Sequence, residues 1–116
     1  MNIQIFGTPK SRDTKKALRF FKERGIKPQF VDLTQREIAK GELNKFIQKF
    51  SLNELINIKE YQKEGLDHYR LSDQELIDKI IANPKIMTQP LIRADNLLKI
   101  NWDEQVWRSW YKEQKS

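Results

Sequence analysis

A chain of 116 residues without a single cysteine excludes disulfides, thiolate metal sites and cysteine nucleophiles. Its length suits one domain, taken here as residues 1–116, and 38% hydrophobic with 33% charged residues suits a folded, helix-rich protein rather than a disordered one. Twenty-two Lys and Arg against sixteen Asp and Glu give a formal charge of +6, but the cations alternate with apolar positions and no nucleic-acid motif accompanies them, so direct nucleic-acid binding is not expected.

In chain order, Asn2 to Phe6 alternates as a short strand and is broken by Gly7, Thr8 and Pro9. A helix follows, capped by Asp13 or Ser11, with Ala17, Leu18, Phe20 and Phe21 as its apolar stripe and Gly25 at its end. Gln29 to Leu33 predicts a second strand, and a strand-helix-strand unit of this length predicts a parallel pair with a right-handed crossover. From Thr34 the pattern turns helical, with Leu43, Phe46, Ile47 and Phe50 on one face, then short helical turns between Ser51 and Gly65. Ser72 to Glu75 reads S-D-Q-E, a capping box opening a helix that turns Leu76, Ile77, Ile80 and Ile81 inward and stops before Pro84.

The stretch Ile86 to Ile100 predicts a β-hairpin turning at Ala94, Asp95 and Asn96, with Pro90 at a strand start or in a cis turn. A last helix beginning near Asp103 is expected to pack Trp102, Val106, Trp107 and Trp110 on one side as core. There is no internal repeat or interdomain linker. The N-terminal residues lack the apolar region of a signal peptide and no apolar run approaches membrane-spanning length, so a cytoplasmic protein without a membrane partner is expected.

The opening I-F-G-T-P-K-S-R-D-T-K-K-A-L and the late T-Q-P-L-I resemble the arsenate reductase and Spx-like family across essentially the whole chain. The resemblance implies an α/β, thioredoxin-like fold: a small mixed sheet built from β-α-β, then a β-hairpin and a C-terminal helix, with a helical insertion at about 34–83. It places the family's catalytic cysteine on Ser11 and the second cysteine of its redox-switch members on Thr14. The threonine usual two residues after the cysteine is Asp13. The arginine before the family's cis-proline is Gln89, the proline itself is Pro90, and a further oxyanion-binding arginine falls near Asn57.

Reducing arsenate by the family's route needs a thiolate that attacks arsenic and then exchanges with a thiol donor. A serine hydroxyl is a far weaker nucleophile without a base, and it cannot enter thiol-disulfide exchange. The sole histidine, His68, sits in a polar part of the insertion and reads as a surface residue, while Asp13 reads as a cap rather than a base. Two readings of the loop remain. Either Ser11 simply caps the helix, or the N–H groups at its start join Lys10 and Arg12 in holding a phosphate, sulfate or acidic side chain. The chain is therefore expected to be a non-redox interaction or regulatory module with a protein partner. By resemblance to Spx-like members, which bind RNA polymerase rather than DNA, that partner includes the transcription machinery. The alternative is an arsenate reductase-like thiol oxidoreductase in which serine replaces the cysteine by natural loss or by engineering. No metal and no cofactor is implied.

Overall fold

Alternation along one central strand sorts the apolar residues onto two faces of a sheet. In the computed structural model, which describes residues 2–115, β1 (Ile3–Gly7) sends Ile3 and Ile5 to one face and Phe6 to the other. It pairs in parallel with β2 (Gln29–Asp32) and antiparallel with β3 (Leu91–Ala94), which in turn pairs antiparallel with β4 (Leu97–Ile100). The sheet order is β2-β1-β3-β4. Between β1 and β2 lies α1 (Arg12–Glu23), and between β2 and β3 lie α2 (Lys40–Phe50), α3 (Ile58–Lys63) and α4 (Asp73–Ala82); α5 (Glu104–Lys115) closes the chain. This is the mixed-sheet, thioredoxin-like α/β arrangement with a helical insertion that the sequence predicts.

The first face is covered by α1 and α5 through an aromatic cluster. Phe21 is fully buried and meets Phe20, Trp107 and Trp110 edge-on at ring-centre distances of 5.3, 5.4 and 5.9 Å. Trp102 precedes α5 in the chain and stacks on Trp107 at 6.4 Å with ring planes 7° apart. Such rings add specific geometry to a large apolar burial and so fix how α1 lies on the sheet. Val106 departs from the expected stripe: it is 37% exposed, because Trp107 and Trp110 already fill the buried side of α5. Asp103 does start that helix, its carboxylate accepting from the Gln105 and Val106 N–H groups.

The insertion covers the opposite face. Leu43 and Phe46 from α2, Leu55, Ile80 from α4, Ile86 and Met87 pack with Phe6, Val31 and Leu91. Ile47, Phe50, Leu76, Ile77 and Ile81 are only partly buried against this cluster. The chain before β3 is tied to the insertion by two backbone hydrogen bonds that make up one bridge. In this isolated antiparallel bridge of Ile56 with Met87, Thr88 N–H donates to Leu55 O at 2.8 Å and Asn57 N–H donates to Ile86 O at 2.8 Å.

Several local signals take their expected form. Gly25 has φ 69°, and the bonds from Gly25 N–H to Lys22 O and from Ile26 N–H to Phe21 O complete a Schellman end to α1. Ser72 and Glu75 exchange both bonds of their capping box at 3.1 Å. The hairpin turns on Asp95 and Asn96 with Asp95 at φ 54°, while Ala94 remains in β3. Strand limits shift by a residue: β1 runs on to Gly7, and β2 ends at Asp32, although Leu33 N–H still reaches Gly7 O at 2.9 Å. No helix among the described residues is long and apolar enough to cross a membrane.

At the start of α2, Glu42 accepts from Ala39 N–H at 2.9 Å and takes both guanidinium nitrogens of Arg36 at 3.0 and 3.1 Å. The Arg36 hydrogen bonds hold the Glu42 carboxyl below its ordinary range. A carboxyl depressed in the folded state contributes stability above its unfolded pKa of about 4.3 and loses it as pH falls through the folded value. Glu42→Gln should therefore lower stability at pH 7 by roughly 0.5–1 kcal/mol, and urea unfolding should show that deficit closing in acid. A deficit that stays constant with pH contradicts the assignment.

Candidate functional site

The loop between β1 and α1 is set by Ser11. Its backbone is extended at φ −68° and ψ 121°, and its Oγ accepts from Thr14 N–H at 3.2 Å. Ser11 N–H also donates to Thr8 O at 3.1 Å, closing the turn around Pro9 and Lys10. The hydroxyl is thus the N-cap of α1, an interaction worth about 1 kcal/mol. Of the two expected caps, Asp13 is not the one: it stands within the first turn and lies 3.9 Å from Lys16. The reason is geometric, since only a residue with non-helical backbone just before the helix can aim its side chain at the free N–H groups.

Thr14 lies elsewhere. It is completely buried with its Oγ1 lacking a hydrogen-bond partner, and its side chain presses on Gly7 so closely that a Cβ there would collide with Thr14 Oγ1 and come within 2.9 Å of its Cγ2. Gly7 is required for this close approach of helix to strand. Ser11 therefore lines an open cleft while Thr14 is sealed in the strand-helix junction, so the two side chains do not share one solvent-facing site.

Gln89 ties this loop to the rest of the cleft. Its Oε1 accepts from Thr8 N–H at 2.8 Å and from Thr8 Oγ1 at 3.1 Å, and its Nε2 donates to Pro84 O at 3.0 Å. The Gln89–Pro90 peptide is cis and leads directly into β3, so both expected placements of Pro90 hold together. One amide thus accepts at one end and donates at the other, bridging the β1–α1 loop and the 3-10 turn Pro84–Ile86. Only a side chain carrying both functions can do this.

The cleft encloses about 840 Å³. Of the residues singled out in the sequence, Lys10, Ser11, Arg12, Asp13, Asn57 and Gln89 line it, whereas Thr14 and Pro90 do not. Sequence reasoning missed Thr8, Lys16, Lys59, Glu60 and Lys85. The last three come from the insertion and the turn after it, where only the fold brings them opposite the loop. Asn57 caps α3, accepting from Glu60 N–H at 3.3 Å. Lys85 lies 3.7 Å from Glu60, while Lys10, Arg12 and Lys59 make no ion pair among the described residues. His68 is exposed on the turn Leu66–His68 and is not part of the cleft wall.

This arrangement has no imidazole and no thiol beside Ser11, and the serine oxygen is already engaged with a backbone N–H. Among the described residues the Ser11 hydroxyl has no side-chain hydrogen-bond partner, and Lys10, Arg12 and Lys59 line the same cleft without an ion pair. Replacing Gln89 by arginine, which has no acceptor, should leave Thr8 N–H without its partner. Gln89→Arg is expected to cost about 1–3 kcal/mol, and Gln89→Glu, which keeps the acceptor, should cost less. Equal urea midpoints for Gln89→Arg and the unaltered protein contradict the bridging role.

Known proteins are similar to this chain in sequence and architecture. A family model described as the ArsC family matches residues 6–110. The uncharacterized protein YfgD of Escherichia coli strain K12 is 26% identical over 103 residues, covering 84% of this chain and 87% of the relative. An arsenate reductase of Acidiphilium multivorum is 24% identical over 95 residues, covering 78% of this chain and 67% of that protein. The solved structure of an arsenate reductase from Vibrio cholerae superposes with a TM-score of 0.71 at 25% identity, covering 85% of this chain and 88% of the other.

Proposed function

This chain belongs to the ArsC family, and we propose that within it the protein acts by binding a protein partner at the Ser11 cleft rather than by thiol chemistry. One observation carries the reading: Ser11, where the resemblance puts the family's cysteine, caps α1 by accepting from Thr14 N–H, in a chain with no cysteine anywhere. A cysteine-dependent reduction needs a sulfur that forms a mixed disulfide and is then released by a second thiol. Oxygen cannot replace it in that exchange. Activation of Ser11 as a hydroxyl nucleophile would need a base within hydrogen-bond reach, and neither carboxylate on the cleft wall is hydrogen-bonded to it. Asp13 lies beside Lys16 and Glu60 beside Lys85.

Binding needs only what the cleft retains: helix N–H groups, cations and neutral donors around a held loop. A protein is the partner class we propose, with a regulatory outcome, acting in the cytoplasm. Resemblance to Spx-like members makes RNA polymerase the first candidate to test. The purified protein should show no glutathione- or glutaredoxin-dependent turnover of arsenate above the rate without protein, and affinity capture should recover a defined partner reproducibly. Turnover by the cysteine-free chain, or capture that recovers nothing reproducible, overturns the reading.

A further inference from the structure

Charge in the cleft is strongly one-sided. Lys10, Arg12, Lys16, Lys59 and Lys85 line it against only two carboxylates, Asp13 and Glu60. Asp13 lies 3.9 Å from Lys16, and Glu60 lies 3.5 Å from Lys63 and 3.7 Å from Lys85, which leaves Lys10, Arg12 and Lys59 without an ion pair among the described residues. These three come from the β1–α1 loop, the first turn of α1 and α3, so the surplus charge converges from separate elements instead of running along one helix face. Like charges in a recess with low-dielectric walls focus their potential outward and attract an oppositely charged group.

Resting on the binding reading above, we propose that the cleft takes an acidic segment of a partner protein in which carboxylates alternate with apolar side chains. Three features favour a peptide. A space of about 840 Å³ is far larger than a single oxyanion and admits several residues of extended chain. The aliphatic stems of the lining lysines, Lys10, Lys59 and Lys85 among them, place apolar surface directly beside each cation. The wall also carries uncharged hydrogen-bonding side chains, Thr8, Asn57 and Asn101, suited to a peptide backbone. A nucleic acid fits less well, because no aromatic side chain lines the cleft for base stacking.

The test uses the full chain and a short fluorescein-labelled peptide alternating Glu and Leu, read by fluorescence anisotropy at low and at physiological salt. Its Gln-for-Glu counterpart, inorganic phosphate and a single-stranded oligonucleotide serve as competitors. The acidic peptide should bind, weaken with salt, and outcompete all three. Lys59→Glu should weaken binding about tenfold, whereas Lys27→Glu, the same charge change at an exposed site outside the cleft, should alter it less than about twofold. Lys85→Gln should weaken binding in the same direction as Lys59→Glu, and circular dichroism checks that both variants fold. Equal losses for Lys27→Glu and Lys59→Glu, tighter binding of the oligonucleotide, displacement by inorganic phosphate alone, or no binding of the acidic peptide each overturn the proposal. Such a failure, alongside absent arsenate turnover and reproducible partner capture, leaves the binding reading standing; arsenate turnover would defeat that reading instead.

Discussion

The geometry of the cleft depends on the side-chain amide of Gln89. It holds the Thr8 backbone and hydroxyl with its oxygen and the Pro84 carbonyl with its nitrogen, joining the loop that begins α1 to the turn that ends the insertion. Partly buried groups that would otherwise lose water without replacement are satisfied in this way. The residue that the family resemblance places here is arginine, a pure donor, which could not accept from Thr8. Gln89 is thus an internal strap, and the cations on the cleft wall that lack an ion pair are Lys10, Arg12 and Lys59.

The two faces of the sheet divide the work of positioning. Phe21 and the tryptophans lock α1 to α5 and the sheet, so the first turn of α1 projects from a firmly packed helix. On the opposite face the insertion packs through Leu43, Phe46, Leu55 and Ile80, and its backbone bonds to Ile86 and Thr88 bring Asn57, Lys59 and Lys85 up to the cleft. The Gly7–Thr14 contact sets how closely α1 approaches β1. It leaves a threonine hydroxyl buried without a partner, a cost of about 1–3 kcal/mol that close packing at the junction must offset.

Much of the fold could be read from local chemistry. Period-two alternation marked β1, the S-D-Q-E box marked the start of α4, and Gly25 marked the left-handed end of α1, because each signal is complete within a few residues. The errors fell where the outcome depends on distant partners. Asp13 and Ser11 are equivalent cap candidates by residue type, and backbone geometry at the turn decided for Ser11. Val106 fits a helical stripe, yet two tryptophans fill the available interface first. Lys59 and Lys85 carry no motif, and their place opposite Lys10 follows only from the packing of the insertion. The importance of Gln89 was visible as a departure from the family pattern, but its bond to Pro84 was not.

On the proposed reading, this member of the ArsC family uses the whole cleft for binding, and residue 11 is not its only departure from a reactive site. Restoring the thiol alone tests that claim most directly. Ser11→Cys, assayed for arsenate turnover with glutathione and glutaredoxin, should remain at the rate measured without protein, because Gln89 stays a neutral strap and the remaining cations are lysines and an arginine arranged by other elements. Turnover clearly above that rate would show that the reductase frame is intact and that only its sulfur is missing, which contradicts the account.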